Sequence, residues 1–184
     1  MSKKSFKKKV ISFDIDGVLN DYPKCFVVYV NKVLHSNFKN IEQIKKKLRK
    51  YKYEKIKDKY RRSNYKFNLK PNIFFRDFID NLNEKYHVIC ITRRNFKKYP
   101  RMYIRTLGWL KKNSFKITGL YSKNKNVIKK KKVCLHIDDQ LSDVKKYLNL
   151  KTKFFVLGSG VNKKIYFVNR KNLLKKFRDI EPML

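Results

Sequence analysis

Residues 10–21 read Val-Ile-Ser-Phe-Asp-Ile-Asp-Gly-Val-Leu-Asn-Asp. The run Val10–Phe13 is short, apolar and partly β-branched, and a glycine turn follows it closely, which is typical of a fully buried strand. Asp14 and Asp16 come directly after this strand, two positions apart. The segment therefore predicts a first, central strand that ends in a pair of carboxylates.

A second acidic group also follows an apolar run. Residues 136–143 read His-Ile-Asp-Asp-Gln-Leu-Ser-Asp, and they overlap the end of a strand predicted at Val133–Ile137. The chain has only 14 acidic residues and a net charge of +35. Six of these acidic residues fall in the two stretches: Asp14, Asp16, Asp21, Asp138, Asp139 and Asp143. Carboxylates this concentrated in a basic chain indicate a cation site.

Apolar periodicity predicts strands that alternate with helices along the rest of the chain. Further strands are expected at 87–91, near 120–121 and at 154–157, and helices around 74–82 (with Pro71 in the first turn), 103–110 and 141–148. Right-handed crossovers between such strands give an α/β fold, a three-layer, Rossmann-like parallel sheet covered on both faces. The ligand site of such a sheet lies beyond the carboxyl ends of the strands, where both acidic groups fall.

Residues 22–68 carry apolar side chains at helical spacing, with lysines on the other faces. This stretch is too long for an ordinary crossover connection. We interpret it as a small helical cap inserted after the first strand. The chain would then consist of an α/β core, residues 1–21 and 69–184, and a cap, residues 22–68, that lies over the site and sets the choice of substrate.

The chain of 184 residues, 42% of them hydrophobic, is long enough for one domain with a real core. Its 49 basic residues are mostly lysine, asparagine is abundant and alanine is absent, a skew that the codon bias of an A/T-rich genome would produce. That bias does not explain why glutamate occurs only four times. We therefore expect part of the charge to attract phosphorylated ligands and to bind nucleic acid non-specifically.

The sequence predicts neither a membrane span nor a secretory signal, because its apolar runs are short. The three cysteines, Cys25, Cys90 and Cys134, lie among apolar residues and show no metal-ligand spacing. This pattern favours free thiols in a reducing compartment. We expect a cytoplasmic protein without a membrane partner.

Four segments together resemble the motifs of the haloacid dehalogenase superfamily. They are Asp14-Ile-Asp16-Gly17 after a buried strand, Thr92 at the end of the second strand, a lysine before the fourth strand, and Asp138-Asp139 with Asp143 at the end of the fourth. Within that superfamily, residues 16–21, 91–94 and 137–140 are similar to the deoxyribonucleotidase-like phosphatases, which dephosphorylate nucleoside monophosphates. The resemblance implies a haloacid dehalogenase-like fold and a phosphatase.

The acidic residues fit the hydrolysis of a phosphate monoester. Asp14 is the expected nucleophile, which would form an aspartyl phosphate, and Asp16 is the expected general acid and base. An attacking carboxylate meets like charge on the phosphate, so a metal ion has to shield both, and Mg²⁺ is the expected cofactor. Its expected ligands are Asp14, the Asp16 carbonyl and Asp139. Asp138 is the less favoured ligand, although the order of the pair is open to reversal, and Asp143 supports the shell.

Phosphate-binding groups are expected at the ends of the strands. Thr92 offers a hydroxyl to the phosphoryl oxygens, and Arg93 and Arg94 stand beside it. A lysine should neutralise the charge that develops on the transferred group. Within the lysine-rich segment 123–132 we choose Lys125 for this role and place Lys123 second.

Aromatic and arginine residues in or beside the cap are candidates for contact with the rest of the substrate. Phe26 is the chosen candidate for stacking on a base, and Arg61 for meeting a phosphate or a base edge. The alternatives for stacking are Tyr29, Tyr60 and Tyr65, and those for the phosphate or base edge are Arg62 and Arg94. Core packing explains Phe26 at least as well, because it continues a helical stripe of apolar residues.

These expectations favour a Mg²⁺-dependent phosphomonoesterase, in particular a 5′-nucleotidase that acts on (deoxy)nucleoside monophosphates. One alternative is a phosphatase that removes terminal phosphate from a polynucleotide, which the basic charge would suit. Another is a basic nucleic-acid-binding protein with a vestigial phosphatase site. A cap over the pocket argues against the first alternative, and the presence of Asp14, Asp16 and Thr92 argues against the second.

Overall fold

The computed structural model describes residues 8–123, 125–158, 160 and 165–184, except for the side chain of Lys125. Within these residues six strands form one sheet: β1 (Lys9–Phe13), β2 (Tyr86–Thr92), β3 (Gly119–Ser122), β4 (Val133–Asp138), β5 (Lys153–Leu157) and β6 (Tyr166–Val168). Their order is β3-β2-β1-β4-β5-β6, and every neighbouring pair is parallel. The predicted parallel α/β sheet is confirmed.

β1 lies in the middle of the sheet and is buried on both faces. Ile11 and Phe13 belong to one apolar cluster. Ser12, on the opposite face, is buried through a 2.8 Å hydrogen bond with His136 Nδ1. Phe13 pairs in register with Ile137, so the carboxyl ends of β1 and β4 lie side by side.

Between β1 and the next helix of the core the chain forms α1 (Lys24–Leu34), α2 (Ile41–Lys47), α3 (Lys50–Arg62) and a 3-10 turn (Asn64–Phe67). These elements share an apolar cluster in which Phe26 packs edge to face with Tyr53 and Tyr60. The two ends of this segment meet, since the Asn72 N–H donates to the Leu19 carbonyl at 2.8 Å. We call residues 22–68 the insertion, and their role as a cap stays a prediction.

The remaining helices cover both faces of the sheet and complete three layers. They are α4 (Ile73–Leu82), α5 (Pro100–Lys112), α6 (Lys125–Lys130), α7 (Leu141–Val144) and α8 (Leu173–Ile180). Residues of α4, α5 and α8 contribute to the apolar cluster on one face, and residues of α6 and α7 to the cluster on the other. No helix in the described part of the chain is long and apolar enough to cross a bilayer.

Some elements differ from the prediction at their ends. Pro71 does not enter α4 but forms an isolated bridge with Asn20, so the helix begins at Ile73. α7 ends at Val144 and continues as a 3-10 turn, Lys145–Tyr147. β6 and α8 follow the last predicted strand and were not predicted.

α5 also turns a different face to the core than predicted. Tyr103 and Leu107, expected on the apolar stripe with Leu110, are 39% and 41% exposed. The buried stripe is centred on Trp109, whose Nε1 donates to the Leu69 carbonyl at 3.0 Å. Burial of this large ring with its hydrogen bond satisfied determines how the helix is rotated.

Candidate active site

Three carboxylates meet where the carboxyl ends of β1 and β4 lie side by side. Asp14 follows β1, and its backbone N–H donates to the Ile137 carbonyl at 2.8 Å, which fixes the two strand ends together. Asp138 ends β4, and Asp139 follows it. Each of the three aspartates offers a carboxylate oxygen, and these oxygens lie within 4.8 Å of one another. The two acidic stretches of the sequence therefore converge.

Asp14 is a buried carboxylate in a negative environment. The residue is 4% exposed, and its Oδ1 has no hydrogen-bond partner among the described residues. Burial raises the pKa of Asp14 to about 8, the charge of Asp138 adds to the shift, and Lys123 opposes it. A bound cation would stabilise the charged form of such a group.

The contacts of Asp138 occupy both of its oxygens. Oδ1 accepts a hydrogen bond from the Gln140 backbone N–H at 2.9 Å. Oδ2 contacts Lys123 Nζ and lies 3.2 Å from His136 Nε2. Burial alone would raise the pKa of Asp138, but His136 and Lys123 outweigh it and hold the pKa well below its usual range. Asp138 is thus an ionised residue that fixes the side chains around it.

Asp139 differs because one of its oxygens is free. Its Oδ1 is buried without a hydrogen-bond partner in the described residues, while Oδ2 accepts from Gln140 Nε2 at 3.2 Å. Burial raises the pKa of Asp139 to about 6, against the effect of the Gln140 hydrogen bond. Gly17, with a φ of +89°, lies directly against this carboxylate, and a Cβ at that position would overlap it. Glycine is therefore required where the two loops meet.

Asp14 and Asp139 have the donor atoms of a site for a hard divalent cation. Both present buried oxygens without a partner among the described residues, and carboxylate oxygens are the ligands that Mg²⁺ and Ca²⁺ prefer. Mg²⁺ commonly takes one or two carboxylates and keeps several waters. The carboxylates of Asp14 and Asp139 match this preference, and Asp138 lies beside them as a supporting residue.

Asp16 is surrounded by donors. Its Oδ1 accepts from Arg94 Nη2 at 2.7 Å and from Asn20 Nδ2 at 3.1 Å, and its Oδ2 accepts from Lys66 Nζ at 2.6 Å. Burial alone would raise the pKa of Asp16, but Arg94 and Lys66 outweigh it and hold the pKa far below its usual range. Asp16 is therefore ionised in this arrangement.

Lys66 comes from the insertion and was not predicted to reach the site. The residue is 4% exposed, and its Nζ lies 4.8 Å from the centre of the Tyr22 ring and 5.6 Å from that of Tyr60. Burial lowers the pKa of Lys66 to about 8, although Asp16 opposes the shift. No local pattern separates Lys66 from the other lysines, because its contact depends on how the insertion folds against the core.

Lys123, the second choice from the sequence, contacts the carboxylate at the end of β4. Its buried Nζ contacts Asp138 and lies 3.6 Å from Asp143 Oδ2. Its backbone N–H donates to the Thr92 carbonyl at 2.6 Å, which ties it to the end of β2. Burial alone would lower the pKa of Lys123, but the charge of Asp138 outweighs it and raises the pKa. The side chain of Lys125, the first choice, lies outside the described residues.

Thr92, Arg93 and Arg94 occupy different environments at the end of β2. Thr92 is 1% exposed, and its Oγ1 accepts from the Arg94 backbone N–H at 3.4 Å. Arg94 is buried, and its guanidinium pairs with Asp16. Arg93 is largely exposed, and its Nε lies 3.1 Å from Oδ2 of the buried Asp143. The two arginines therefore hold two different acidic residues of the site.

Phe26 and Arg61, the chosen candidates of the insertion, do not join this group. Phe26 is fully buried among Tyr53 and Tyr60, so its ring faces are closed to a base and the core-packing interpretation applies. Arg61 lines a different cavity, between α3 and α5. Tyr22 and Tyr60, both close to the ammonium of Lys66, are aromatic residues of the insertion that lie near Asp16.

No protein-family model matches the chain, and no curated protein matches it either. Solved structures match it over nearly its whole length. A subfamily IA hydrolase of the haloacid dehalogenase superfamily from Geobacter sulfurreducens is 12% identical, with a TM-score of 0.62 over 96% of this chain and 99% of that one. A predicted phosphatase from Clostridium acetobutylicum is 13% identical, with a TM-score of 0.64 over 95% and 100%. The magnesium-bound hydrolase YfnB from Bacillus subtilis is 10% identical, with a TM-score of 0.61 over 93% and 99%.

The chain has the haloacid dehalogenase fold. More than nine-tenths of the chain is covered in each case, so the likeness includes most of the insertion as well as the sheet. Identities this low establish the fold alone. The chemistry of this haloacid dehalogenase-fold protein therefore rests on its own residues.

Proposed function

We propose that this protein is a Mg²⁺-dependent phosphomonoesterase that works through an aspartyl phosphate on Asp14. The observation that carries the proposal is the buried Asp14 carboxylate, whose Oδ1 is unpartnered among the described residues and which joins two other carboxylates within 4.8 Å. Support comes from solved structures of the same fold, which include hydrolases, a predicted phosphatase and magnesium-bound YfnB. Asp14, Asp139 and the Asp16 carbonyl would hold the ion.

Positive charge is needed at this site for Asp14 to react. When bound, Mg²⁺ would shield the charge of the phosphate from that of the carboxylate. With a pKa raised to about 8 by burial, Asp14 would be largely protonated at neutral pH without a cation, and a protonated carboxyl is a poor nucleophile. Lys123 supplies a fixed positive charge in the same place, and we assign to it the role first given to Lys125.

The reaction would proceed in two displacements at phosphorus. An Asp14 oxygen bonds to phosphorus while the bond to the leaving oxygen breaks, and Asp16 gives that oxygen its proton. Thr92 donates its hydroxyl to the phosphoryl oxygens. Asp16, now ionised, then accepts a proton from the water that attacks phosphorus and releases Asp14.

The contacts of Asp16 suit the second displacement as they stand. An ionised carboxylate can accept a proton, whereas the first displacement needs the protonated form. A phosphate dianion bound beside Arg94 and Lys66 would compete for their charge and so raise the pKa of Asp16. If the insertion moved away from the core and took Lys66 with it, the pKa of Asp16 would also rise.

We further propose that the substrates are nucleoside monophosphates, which makes the protein a 5′-nucleotidase. Residues 16–21, 91–94 and 137–140 support this through their similarity to the deoxyribonucleotidase-like phosphatases. The net charge of +35 supports it because a positive field raises the local concentration of phosphorylated ligands.

Release of inorganic phosphate from nucleoside 5′-monophosphates and sugar phosphates tests both parts of the proposal. We expect turnover that depends on Mg²⁺, disappears with a chelator and is abolished in Asp14→Asn, with nucleotides as the better substrates. Turnover that survives Asp14→Asn would contradict the covalent mechanism. A preference for sugar phosphates would contradict the nucleotidase assignment and leave the phosphatase intact.

A further inference from the structure

A cavity that does not include the three carboxylates lies where the insertion meets the core. Its volume of about 550 Å³ is in the range of ligand sites, and residues of α3, of the 3-10 turn Asn64–Phe67 and of the start of α5 line it. Five of these lining residues are cations: Arg61, Arg62, Lys98, Arg101 and Arg105. We call this feature the basic cavity.

Most of the positive charge of the basic cavity is uncompensated. Asp58 pairs with Arg62 at 2.9 Å and lies 3.7 Å from Lys98. Within the described residues, no carboxylate forms an ion pair with Arg61, Arg101 or Arg105. A cleft lined by charges of one sign concentrates ligands of the opposite sign, so the ligand of this cavity is an anion.

Aromatic rings hold two of the arginines in place. The Arg62 guanidinium lies 5.2 Å from the centre of the Tyr99 ring, and the Arg105 guanidinium lies 4.5 Å from that of Phe67. Because a guanidinium group already lies over each ring, the rings orient the cations. The cavity therefore suits phosphate groups, which arginine binds through paired N–H donors.

The basic cavity shares two walls with the candidate active site. In the 3-10 turn, Phe67 lines the cavity, while its neighbour Lys66 reaches Asp16 at 2.6 Å. In α5, Arg105 lines the cavity, while its neighbour Thr106 accepts from the arginine that pairs with Asp16. A single layer of residues thus separates the cavity from the proposed acid and base.

A smaller cavity of about 380 Å³ continues along α5. Arg101, Ile104 and Arg105 line it, so it shares both arginines with the basic cavity. The two arginines are exposed and one helical turn apart, which places them on the same face of the helix. Together the two cavities form an elongated positive track, which fits a chain of linked phosphates better than one compact anion.

We propose that the basic cavity binds the phosphodiester backbone of a single-stranded polynucleotide whose terminal phosphate lies at Asp14. This inference rests on the proposed function, because it extends the substrate from a nucleoside monophosphate to a nucleotide at the end of a chain. The track lies at the edge of the insertion, one layer of residues from Asp16, so a strand that follows it would have to pass around that layer to reach Asp14. Arginine contacts to phosphate carry no base information, and the binding should be independent of sequence.

Binding of a fluorescently labelled, phosphate-ended oligonucleotide to the full chain, followed by anisotropy in the presence of chelator, tests the cavity without turnover. We expect Arg101→Gln/Arg105→Gln to weaken binding by about tenfold or more and to reduce the salt slope by about one per arginine. The matched control is Lys175→Gln/Lys176→Gln, which removes the same charge from exposed positions of α8. The control should change the affinity less than about twofold.

Two further variants separate charge from geometry and from folding. Arg101→Lys/Arg105→Lys keeps the charge but loses the paired donors, and it should recover only part of the affinity. Arg105 contacts the Asn64 side chain, whereas Arg101 has no side-chain partner among the described residues. Arg101→Gln alone should therefore fold normally, as judged by its melting temperature, and still bind the oligonucleotide more weakly.

Kinetics distinguish the failure of this inference from the failure of the proposed function. In Arg101→Gln/Arg105→Gln the ratio of kcat/KM for a phosphate-ended oligonucleotide to that for a nucleoside monophosphate should fall by about tenfold, because the extra phosphates lose their contacts. If this ratio fell equally in the arginine variant and in the α8 control, the inference would be overturned. Inorganic tripolyphosphate that displaces the oligonucleotide at equal phosphate concentration would also overturn it, in favour of a small polyphosphate. Arginine-dependent binding in a protein that hydrolyses neither substrate would contradict the proposed function and leave the cavity assignment standing.

Discussion

Lys66 Nζ lies 2.6 Å from Asp16 Oδ2, although the two residues are 50 positions apart and belong to the insertion and to the loop after β1. Both side chains are largely buried, with 5% and 20% of their surface exposed. The pair therefore joins the insertion directly to the residue that we propose as general acid and base. Any movement of the insertion away from the core has to break it.

Replacement of Lys66 by methionine tests the role of this pair in catalysis. The change removes one of the two cations that pair with Asp16, beside which the substrate phosphate would lie, so we expect KM for a nucleoside monophosphate to rise about tenfold. Lys59→Met, an exposed lysine of α3, is the matched control. Steady-state kinetics measure both, and an unchanged KM in Lys66→Met would place the lysine outside substrate binding.

Asp138 and Asp139 are adjacent, but their substitution should have opposite consequences. Burial raises the pKa of Asp139 to about 6, so its negative charge is unfavourable in the folded protein. We therefore expect Asp139→Asn to keep or increase the stability, and to raise the Mg²⁺ concentration needed for activity by about tenfold or more. Asp138→Asn leaves the buried Lys123 without its closest partner and should lower the free energy of unfolding by about 3 kcal/mol. Urea unfolding and activity against Mg²⁺ concentration measure the two effects. The reverse pattern would exchange the roles of the two aspartates.

The choice between Lys123 and Lys125 can be settled by parallel substitution. Lys123→Gln should lower kcat about 100-fold or more, because it removes the buried positive charge that contacts Asp138 and favours the ionised form of Asp14. Lys125→Gln should have a much smaller effect, and Lys130→Gln, an exposed lysine of α6, serves as the control. A larger loss in Lys125→Gln than in Lys123→Gln would restore the first choice from the sequence.

Asp14 should make the protein less stable as the pH rises. Its pKa is about 8 in the folded protein against 3.8 for the ordinary group, so the folded state keeps a proton that the unfolded chain has already lost. This contribution to stability is fully present below pH 3.8 and is lost as the pH rises towards 8. Asparagine does not titrate, so at pH 7 without Mg²⁺ we expect Asp14→Asn to be more stable than the natural protein by on the order of 4 kcal/mol.

Urea unfolding of the two proteins in chelator at pH 4, 5.5 and 7 measures this difference. The gap should close towards pH 4, and Mg²⁺ should stabilise the natural protein more than Asp14→Asn. An asparagine variant that is less stable than the natural protein at pH 7 would show that Asp14 is not held in the unfavourable environment described above.

The parts of the site that the sequence predicted are those determined by local pattern. Asp14 and the Asp138–Asp139 pair each follow a short apolar run, and a parallel sheet brings the ends of such runs to one edge whatever the side chains between them. Gly17 is also a local requirement, because a backbone with positive φ against a carboxylate admits no Cβ.

The residues that the sequence did not predict owe their positions to tertiary packing. Lys66 reaches Asp16 because the 3-10 turn closes the insertion against the core, and nothing in its neighbourhood marks it among so many lysines. Phe26 was a candidate for substrate contact but is buried. The sequence did not distinguish the two outcomes, because an aromatic residue at helical spacing fits a buried core and a stacking surface equally well. The rotation of α5 follows from the burial of Trp109, which apolar spacing alone did not indicate.

In the proposed mechanism Asp14 becomes covalently phosphorylated during turnover. Acid quenching of the protein within milliseconds of mixing with Mg²⁺ and a nucleoside monophosphate, followed by peptide mass spectrometry, measures this directly. We expect one phosphoryl group on the peptide that contains Asp14, and none when Mg²⁺ is omitted or Asp14→Asn is used. Phosphate release at full rate without a phosphorylated Asp14 peptide, or with the label on another residue, would contradict this mechanism.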